Sequence, residues 1–200
     1  VSSSAASDVY KRQVFFLIGV GYYIGKKDPN FNTDFITKFT ANIGSPGLVI
    51  YAVTTTGLNF ETFIKFFIIA IILVTFLGIT GSLLLKICKR DYIRELPPLI
   101  LPNTGNMGLP ICLFAYGTKG LGIGSAIFCV IILFHFTIGV LLADKKFSLK
   151  PLIRNGPFYA IFISLIFLYY NFELPKFVEN TTMLLSYATI LLVLMSLGVG

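Results

Sequence analysis

Long apolar stretches alternate with short polar intervals along this chain. The apolar stretches cover residues 14–24, 35–56, 63–85, 97–116, 121–142, 157–172 and 177–200. A helix needs about 20 residues to cross a bilayer, so the pattern predicts an all-α membrane protein with seven transmembrane helices. The first stretch is short and the last is followed by no loop, so the expectation is a chain cut at both ends. Residues 1–13 stand apart. Ser2-Ser3-Ser4-Ala5-Ala6-Ser7 is low in complexity, and Asp8 to Gln13 matches no later pattern. The segment resembles translated library-adapter sequence and is read as a non-native leader outside the fold. A signal peptide is the alternative, with Lys11-Arg12 ahead of an apolar run, but no small-residue cleavage site follows.

The fourth stretch carries an interruption: Pro102-Asn103-Thr104-Gly105-Asn106-Met107-Gly108-Leu109-Pro110. Two prolines, two glycines and two asparagines cannot continue a helix. Proline removes an amide donor and clashes with the preceding turn, and each glycine costs about 1 kcal/mol against alanine. In hydrocarbon such a break persists only where it is buried in protein or faces a water-filled cavity. The midpoint of residues 97–116 falls between Asn106 and Met107, at the bilayer centre, where broken helices of carriers hold their substrate. The first half-helix is expected to end near Leu101 and the second to start between Asn106 and Leu109. Pro110 would then sit in the first turn, where proline is tolerated. Carbonyls would face the break from one side and amides from the other, the amide end being suited to an anion. Asn103, Thr104 and Asn106 add neutral donors and acceptors.

Composition agrees with a membrane protein: 56% of residues are hydrophobic and 12% charged, with a mean hydropathy of +0.84. A soluble domain carries roughly 25% charged residues. Cys88, Cys112 and Cys129 have no CxxC spacing, and two lie in apolar runs, so they read as packing residues and not as disulfides or metal ligands. The net charge of +7 is not that of a nucleic-acid binder, because the basic residues lie between apolar runs. Loops one–two, three–four and five–six hold Lys26, Lys27, Lys86, Lys89, Arg90, Arg94, Lys145, Lys146, Lys150 and Arg154. The other loops hold or border only Lys65, Lys119 and Lys176. This excess places the odd loops in the cytoplasm and the N-terminus outside.

A shift of 142 lays residues 35–58 over residues 177–200. Five spans separate the copies, and an odd number inverts the second, as in the inverted repeats of secondary transporters. The expected domains are thus a leader (1–13), a first five-helix repeat (14–156) and the truncated start of a second, inverted repeat (157–200).

Two further positions carry candidate chemistry. Asn42, within Asn42-Ile43-Gly44-Ser45-Pro46-Gly47 of the second stretch, reads as a buried amide, either contacting substrate beside the break or lying on a packing face of small residues. His135 is the sole histidine and lies inside the fifth stretch. It reads as a proton relay or as a neutral imidazole bonded to a neighbouring helix. No Asp or Glu lies inside any stretch, which favours neutral recognition of an anion over a carboxylate-based cation site.

Asn103 to Pro110, followed by Phe114, Gly117, Gly120 and Leu121, resembles the fourth-helix signature of the auxin efflux carrier family of membrane transport proteins, within the bile acid/sodium symporter-like superfamily. Asn42 with Pro46, Arg154-Asn155-Gly156-Pro157, and Leu197-Gly198-Val199-Gly200 are similar to its pattern, with Gly156 inserted between the usual Asn and Pro. The resemblance implies ten helices in two inverted five-helix repeats, with crossing broken fourth and ninth helices. It implies transport of organic anions such as auxin or malate, and a substrate near the crossover at Asn103, Thr104, Asn106 and Pro110.

The expected function is therefore secondary transport of a small organic anion by alternating access, with no enzyme activity, cofactor or metal. The expected partners are that anion, a coupling proton or sodium ion, the lipid bilayer and a second copy in a homodimer, with no nucleic acid. The expected location is the plasma membrane, as a multi-pass protein. The alternatives are a seven-helix receptor and a proton-coupled exchanger centred on His135.

Overall fold

Apolar runs with few charges and no strand-like alternation fold here into helices alone. A computed structural model describes residues 3–28, 31–144, 150–153 and 155–199, and among these no strand occurs. The helices are α1 (Ser3–Lys27), α2 (Asp34–Phe39), α3 (Ser45–Thr54), α4 (Phe60–Ile87), α5 (Tyr92–Ile100), α6 (Leu109–Phe134), α7 (Val140–Asp144), α8 (Lys150–Ile153), α9 (Gly156–Tyr170) and α10 (Lys176–Val199). Five-residue π-helical turns, Thr40–Gly44, Thr104–Gly108 and His135–Gly139, join α2 to α3, precede α6, and join α6 to α7.

Local chemistry sets several boundaries. Asn59 opens α4 by accepting from the Thr62 amide at 2.8 Å, and Asp91 opens α5 by accepting from the Ile93 amide at 3.0 Å. α9 ends on Asn171 in the left-handed region (φ 52°), a conformation asparagine tolerates better than most residues. Gly117 adopts φ 65° and ψ −158° inside α6, which reverses the chain there. A Cβ on Gly120 would meet Tyr116, and one on Gly124 would meet Cys112 and Leu109, so α6 is an antiparallel hairpin of two helical arms. The expected loop between the fourth and fifth stretches is thus one tight glycine turn.

Contact registers give the relative directions. Gly21 lies against Met195 and Gly25 against Val199, so α1 runs parallel to α10. Gly44 meets Thr189 and Gly47 meets Leu185, so α3 runs antiparallel to α10. Gly156 packs on Pro46, and Phe60 meets Tyr169 edge-on with ring centroids 5.2 Å apart, so α9 runs parallel to the second stretch. Gly78 and Gly81 lie under Ile100, Leu99 and Leu96, so α5 runs antiparallel to α4. Ala70 and Val74 pack with Val130 and Ile131 of the second arm of α6. Two groups result: α1, α3, α9 and α10 pack on one another, as do α4, α5, α6 and α7, and the groups meet where α1 and α3 lie on α6.

By length and apolarity three segments could each cross a membrane: Phe60–Ile87, the 50-residue stretch Ile93–Leu142, and Lys176–Val199. The count falls below seven for physical reasons. The 50-residue stretch covers the fourth and fifth expected spans and folds back at Gly117, α9 has 15 residues, a π-helical turn divides the second stretch, and the apolar run of the first stretch lies between Lys11-Arg12 and Lys26-Lys27. α1 continues from the first stretch back to Ser3, so most of the expected leader is helical. The outer face of α4 exposes Ile72, Phe76, Ile79, Leu83 and Ile87, as a lipid-facing helix would. Lys145, Lys146 and Arg154 from the charge pattern, and Gly200 of the terminal motif, lie outside the described residues.

Candidate functional site

The site is built from the way proline and glycine disturb three helices. α5 stops at Ile100, and Leu101 (φ −109°, ψ 82°) and Asn103 (φ −74°, ψ 64°) leave helical geometry. The chain re-enters as the π-helical turn Thr104–Gly108, and Pro110 occupies the first turn of α6. Proline cannot donate to the Asn106 carbonyl four residues back, and the wider turn ahead of it is the register that remains: the amides of Gly108 and Leu109 reach five residues back, to Asn103 and Thr104. The break is therefore where the sequence puts it, to within a residue.

Asn103 caps the second half from the break, its side-chain oxygen accepting from the Asn106 amide at 3.3 Å. Gly105 sits on the ring of Phe128, where a Cβ would approach Cε2 to 2.6 Å. Leu101 rests 3.5 Å from where a Cβ on Gly139 would lie, so the break is seated against the third π-helical turn.

Asn103, Thr104 and Asn106 line a cavity of about 520 Å³. Thr37, Thr40 and Ser45 face it from the second stretch, and His135 and Phe136 from the fifth. All three π-helical turns thus converge on one cavity. A smaller cavity of about 120 Å³ lies between α2 and α10 and shares Asn106, Thr37 and Thr40. Asn103, Asn106 and His135 are all exposed.

Two sequence-predicted residues lie elsewhere. Pro110 is fully buried and lines neither cavity, so it shapes the turn without facing a ligand. Asn42 is exposed, and its amide donates to the Lys38 carbonyl at 3.0 Å. The expectation of a buried amide beside the break is corrected: an i−4 carbonyl on its own helix satisfies Asn42.

A motif repeated within the sequence points to the second wall of this cavity. Thr40-Ala41-Asn42-Ile43-Gly44-Ser45-Pro46 and Thr104-Gly105-Asn106-Met107-Gly108-Leu109-Pro110 share Thr, Asn, Gly and Pro at the same four positions of seven. Both form a five-residue π-helical turn ending on glycine, with proline in the next helical turn. The copies differ in what precedes them. Thr40 follows a helix, and its hydroxyl donates to the Ile36 carbonyl at 2.8 Å. Thr104 follows the break, and its buried hydroxyl oxygen has no hydrogen-bond partner among the described residues.

These helices and this cavity define, as a class, a membrane protein with a polar site at a broken helix. Comparison with known proteins finds a relative that is named as a transporter. The chain is 26% identical to the protein named "Uncharacterized transporter MJ1031" of Methanocaldococcus jannaschii, over 94% of this chain and 66% of that protein. The chain therefore spans just under two thirds of that relative's length. No family model matches the chain, and no solved structure matches it.

Proposed function

We propose that this chain is part of a secondary carrier of small organic anions that works by alternating access around the break at residues 101–108. The observation that carries the reading is the convergence of three π-helical turns on one polar cavity between two groups of helices. Asn103, Thr104 and Asn106 are the ligand contacts in this reading, and Pro110 holds the turn. The resemblance of Asn103 to Pro110 to the auxin efflux carrier signature supports an organic anion, and the transporter relative supports membrane transport.

The inverted repeat has geometric support. A shift of 142 carries the contact of Gly25 with Val199 onto Phe167 and Gly57, and these two line a common cavity of about 290 Å³ where α9 meets the second stretch. The shift thus turns the α1–α10 pairing into the α9–α3 pairing, as an internal two-fold would. In this reading the seven apolar stretches cross the bilayer in alternation with the N-terminus outside, in the plasma membrane.

The test uses the full-length protein. Carboxylates, auxin and malate among them, are screened for thermal stabilisation, and the best is followed as flux in proteoliposomes. Asn106→Ala is expected to insert normally and to lose at least about tenfold in flux, the scale of one lost polar contact plus its unpaired partner. Wild-type flux in Asn106→Ala would sink the proposal.

A further inference from the structure

A further cavity, of about 570 Å³, lies away from the ligand site, between α4, α5 and the third π-helical turn. We infer that it holds one acyl chain of an anionic phospholipid whose headgroup sits on Lys86 and Lys89. Small-molecule sites usually enclose about 300–1,000 Å³. Val74, Leu96 and Ile100 form the buried floor of this groove, and Ile79 and Ile138 its exposed rim. No described residue lining it is charged. Its polar side chains are Thr75 and Ser82, and the Ser82 hydroxyl donates to the Gly78 carbonyl of its own helix at 2.6 Å. The groove has a local cause. At Gly81 a Cβ would come within 3.0 Å of Leu99 and 3.3 Å of Leu96, so α4 and α5 are closed there. A turn earlier, at Gly78, the nearest atom is Ile100 Cδ1 at 3.9 Å, and glycine has no side chain to fill the gap.

Two features identify the occupant. The groove opens on the lipid-facing side of α4: Ile79, 66% exposed, belongs both to its rim and to the exposed row of Ile72, Phe76 and Leu83. An apolar groove open to hydrocarbon takes up hydrocarbon, because water finds too few polar partners there. The groove also runs toward positive charge. Thr75, Ile79, Ser82 and Lys86 follow one another at spacings of four, three and four, so they share one face of α4. The first three line the groove, and Lys86 stands one turn beyond it.

The charge at that end is unbalanced. From Lys86 to Glu95 the chain holds four basic and two acidic residues. Arg90 pairs with Glu95 at 2.9 Å and Arg94 with Asp91 at 3.6 Å, which accounts for both carboxylates. Lys86 and Lys89 have no ion pair among the described residues. Lys89 has a φ of 54°, fixed by its amide donating to the Lys86 carbonyl at 3.2 Å and by the Arg90 amide donating to the Leu85 carbonyl at 2.9 Å. Glycine or asparagine is the usual residue in this left-handed position at a helix end. The turn therefore carries a cation where a smaller residue fits the backbone better. Two uncompensated ammonium groups beyond the end of an apolar groove match a phospholipid, with its chain inside and its phosphate outside. A zwitterionic lipid brings its own cation, so a net anionic one is the better match.

The experiment titrates the purified full-length protein with dioleoyl phosphatidylglycerol and dioleoyl phosphatidylcholine and reads bound lipid by native mass spectrometry. Wild type is expected to bind one phosphatidylglycerol at least about tenfold more tightly than phosphatidylcholine, the scale of two lysines beside an anionic headgroup. Lys86→Gln with Lys89→Gln is expected to lose that preference. Lys26→Gln with Lys27→Gln, a basic pair in the last turn of α1, is expected to keep it. Gly78→Leu, whose new side chain enters the groove, is expected to weaken both lipids about tenfold. Glycerol 3-phosphate, a headgroup without a chain, is expected not to displace the lipid. A preference kept without Lys86 and Lys89, an equal loss on removing Lys26 and Lys27, or displacement by glycerol 3-phosphate overturns the inference. So does unchanged lipid binding in a folded Gly78→Leu protein. A protein that binds no phosphatidylglycerol overturns it too, and a lipid-free dimer split by Gly78→Leu would mean that a second copy fills the groove instead. The two lysine pairs decide the matter even where Gly78→Leu fails to fold.

Discussion

At the scale of single residues, the informative pair is Thr40 and Thr104, the same position of one repeated motif. A threonine inside a helix turns its hydroxyl back to the carbonyl four residues earlier, and Thr40 does so with Ile36. For Thr104 that residue is Ile100, the last of α5, and the chain leaves helical geometry between them. One motif thus yields a satisfied hydroxyl in the second stretch and, at the break, one with no partner among the described residues. Valine keeps the shape of threonine and removes the hydroxyl, so the two substitutions should separate. Thr104→Val should leave the melting temperature unchanged or slightly raised, since a buried unpaired hydroxyl costs about 1–3 kcal/mol. It should also weaken ligand binding about tenfold. Thr40→Val should leave binding within about threefold. Thermal melts with and without ligand check both, and equal binding losses would refute the distinction. Asn42 shows the limit of reading residue type. An asparagine in an apolar run looks like a buried amide seeking a partner, but its exposure depends on the helix phase, which the π-helical turn changes locally.

At the scale of elements, the break was legible because proline and glycine act within a turn of where they stand. Pro102 follows the end of one helix and Pro110 stands in the first turn of the next, whereas Pro97 and Pro98 lie inside α5. The third π-helical turn, His135–Gly139, has no proline and was not legible. There Thr137 donates to the Leu133 carbonyl at 2.6 Å, a back-bond of the kind that bends helices, and Gly139 accepts Leu101 close by. That turn depends on packing against the break, which no local pattern reports. The glycine reversal at Gly117 was missed for a different reason: a loop of ordinary length was expected, and one residue with positive φ made it unnecessary. The proline argument makes a prediction. Pro110→Ala restores a donor opposite the Asn106 carbonyl and permits an α-helical register in place of the wider turn. The melting temperature should hold or rise, since alanine adds a backbone donor that the Asn106 carbonyl can accept from, while flux falls at least about tenfold as Asn106 moves. Unchanged flux in a stable Pro110→Ala protein would separate the turn from function.

At the scale of the molecule, the question is what moves. Contacts divide the helices into two groups, and the cavity has walls from both: Thr37, Thr40 and Ser45 from one, the break and His135 from the other. A cavity with walls on two bodies opens to alternate sides only if one body shifts against the other, so locking the groups together should stop transport, while locking two helices of one group should not. Glycine contacts supply both locks. Gly44 faces Thr189, with a Cβ on the glycine 3.2 Å from the Thr189 Cβ, and both belong to the first group. Gly122 faces Thr56, with the corresponding Cβ 3.1 Å away, across the boundary between groups. A disulfide spans Cβ atoms about 3.5–4.5 Å apart, within a small adjustment of either pair. In the full-length protein with Cys88, Cys112 and Cys129 replaced by alanine, Thr56→Cys with Gly122→Cys should lose flux on oxidation and regain it on reduction. Gly44→Cys with Thr189→Cys should cross-link equally well and keep its flux. Cross-linking is read as a mobility shift on gels and flux in the same vesicles. Full flux with the Thr56–Gly122 bond formed would mean that the cavity empties without relative motion of the two groups, and alternating access around this break would then be the wrong mechanism.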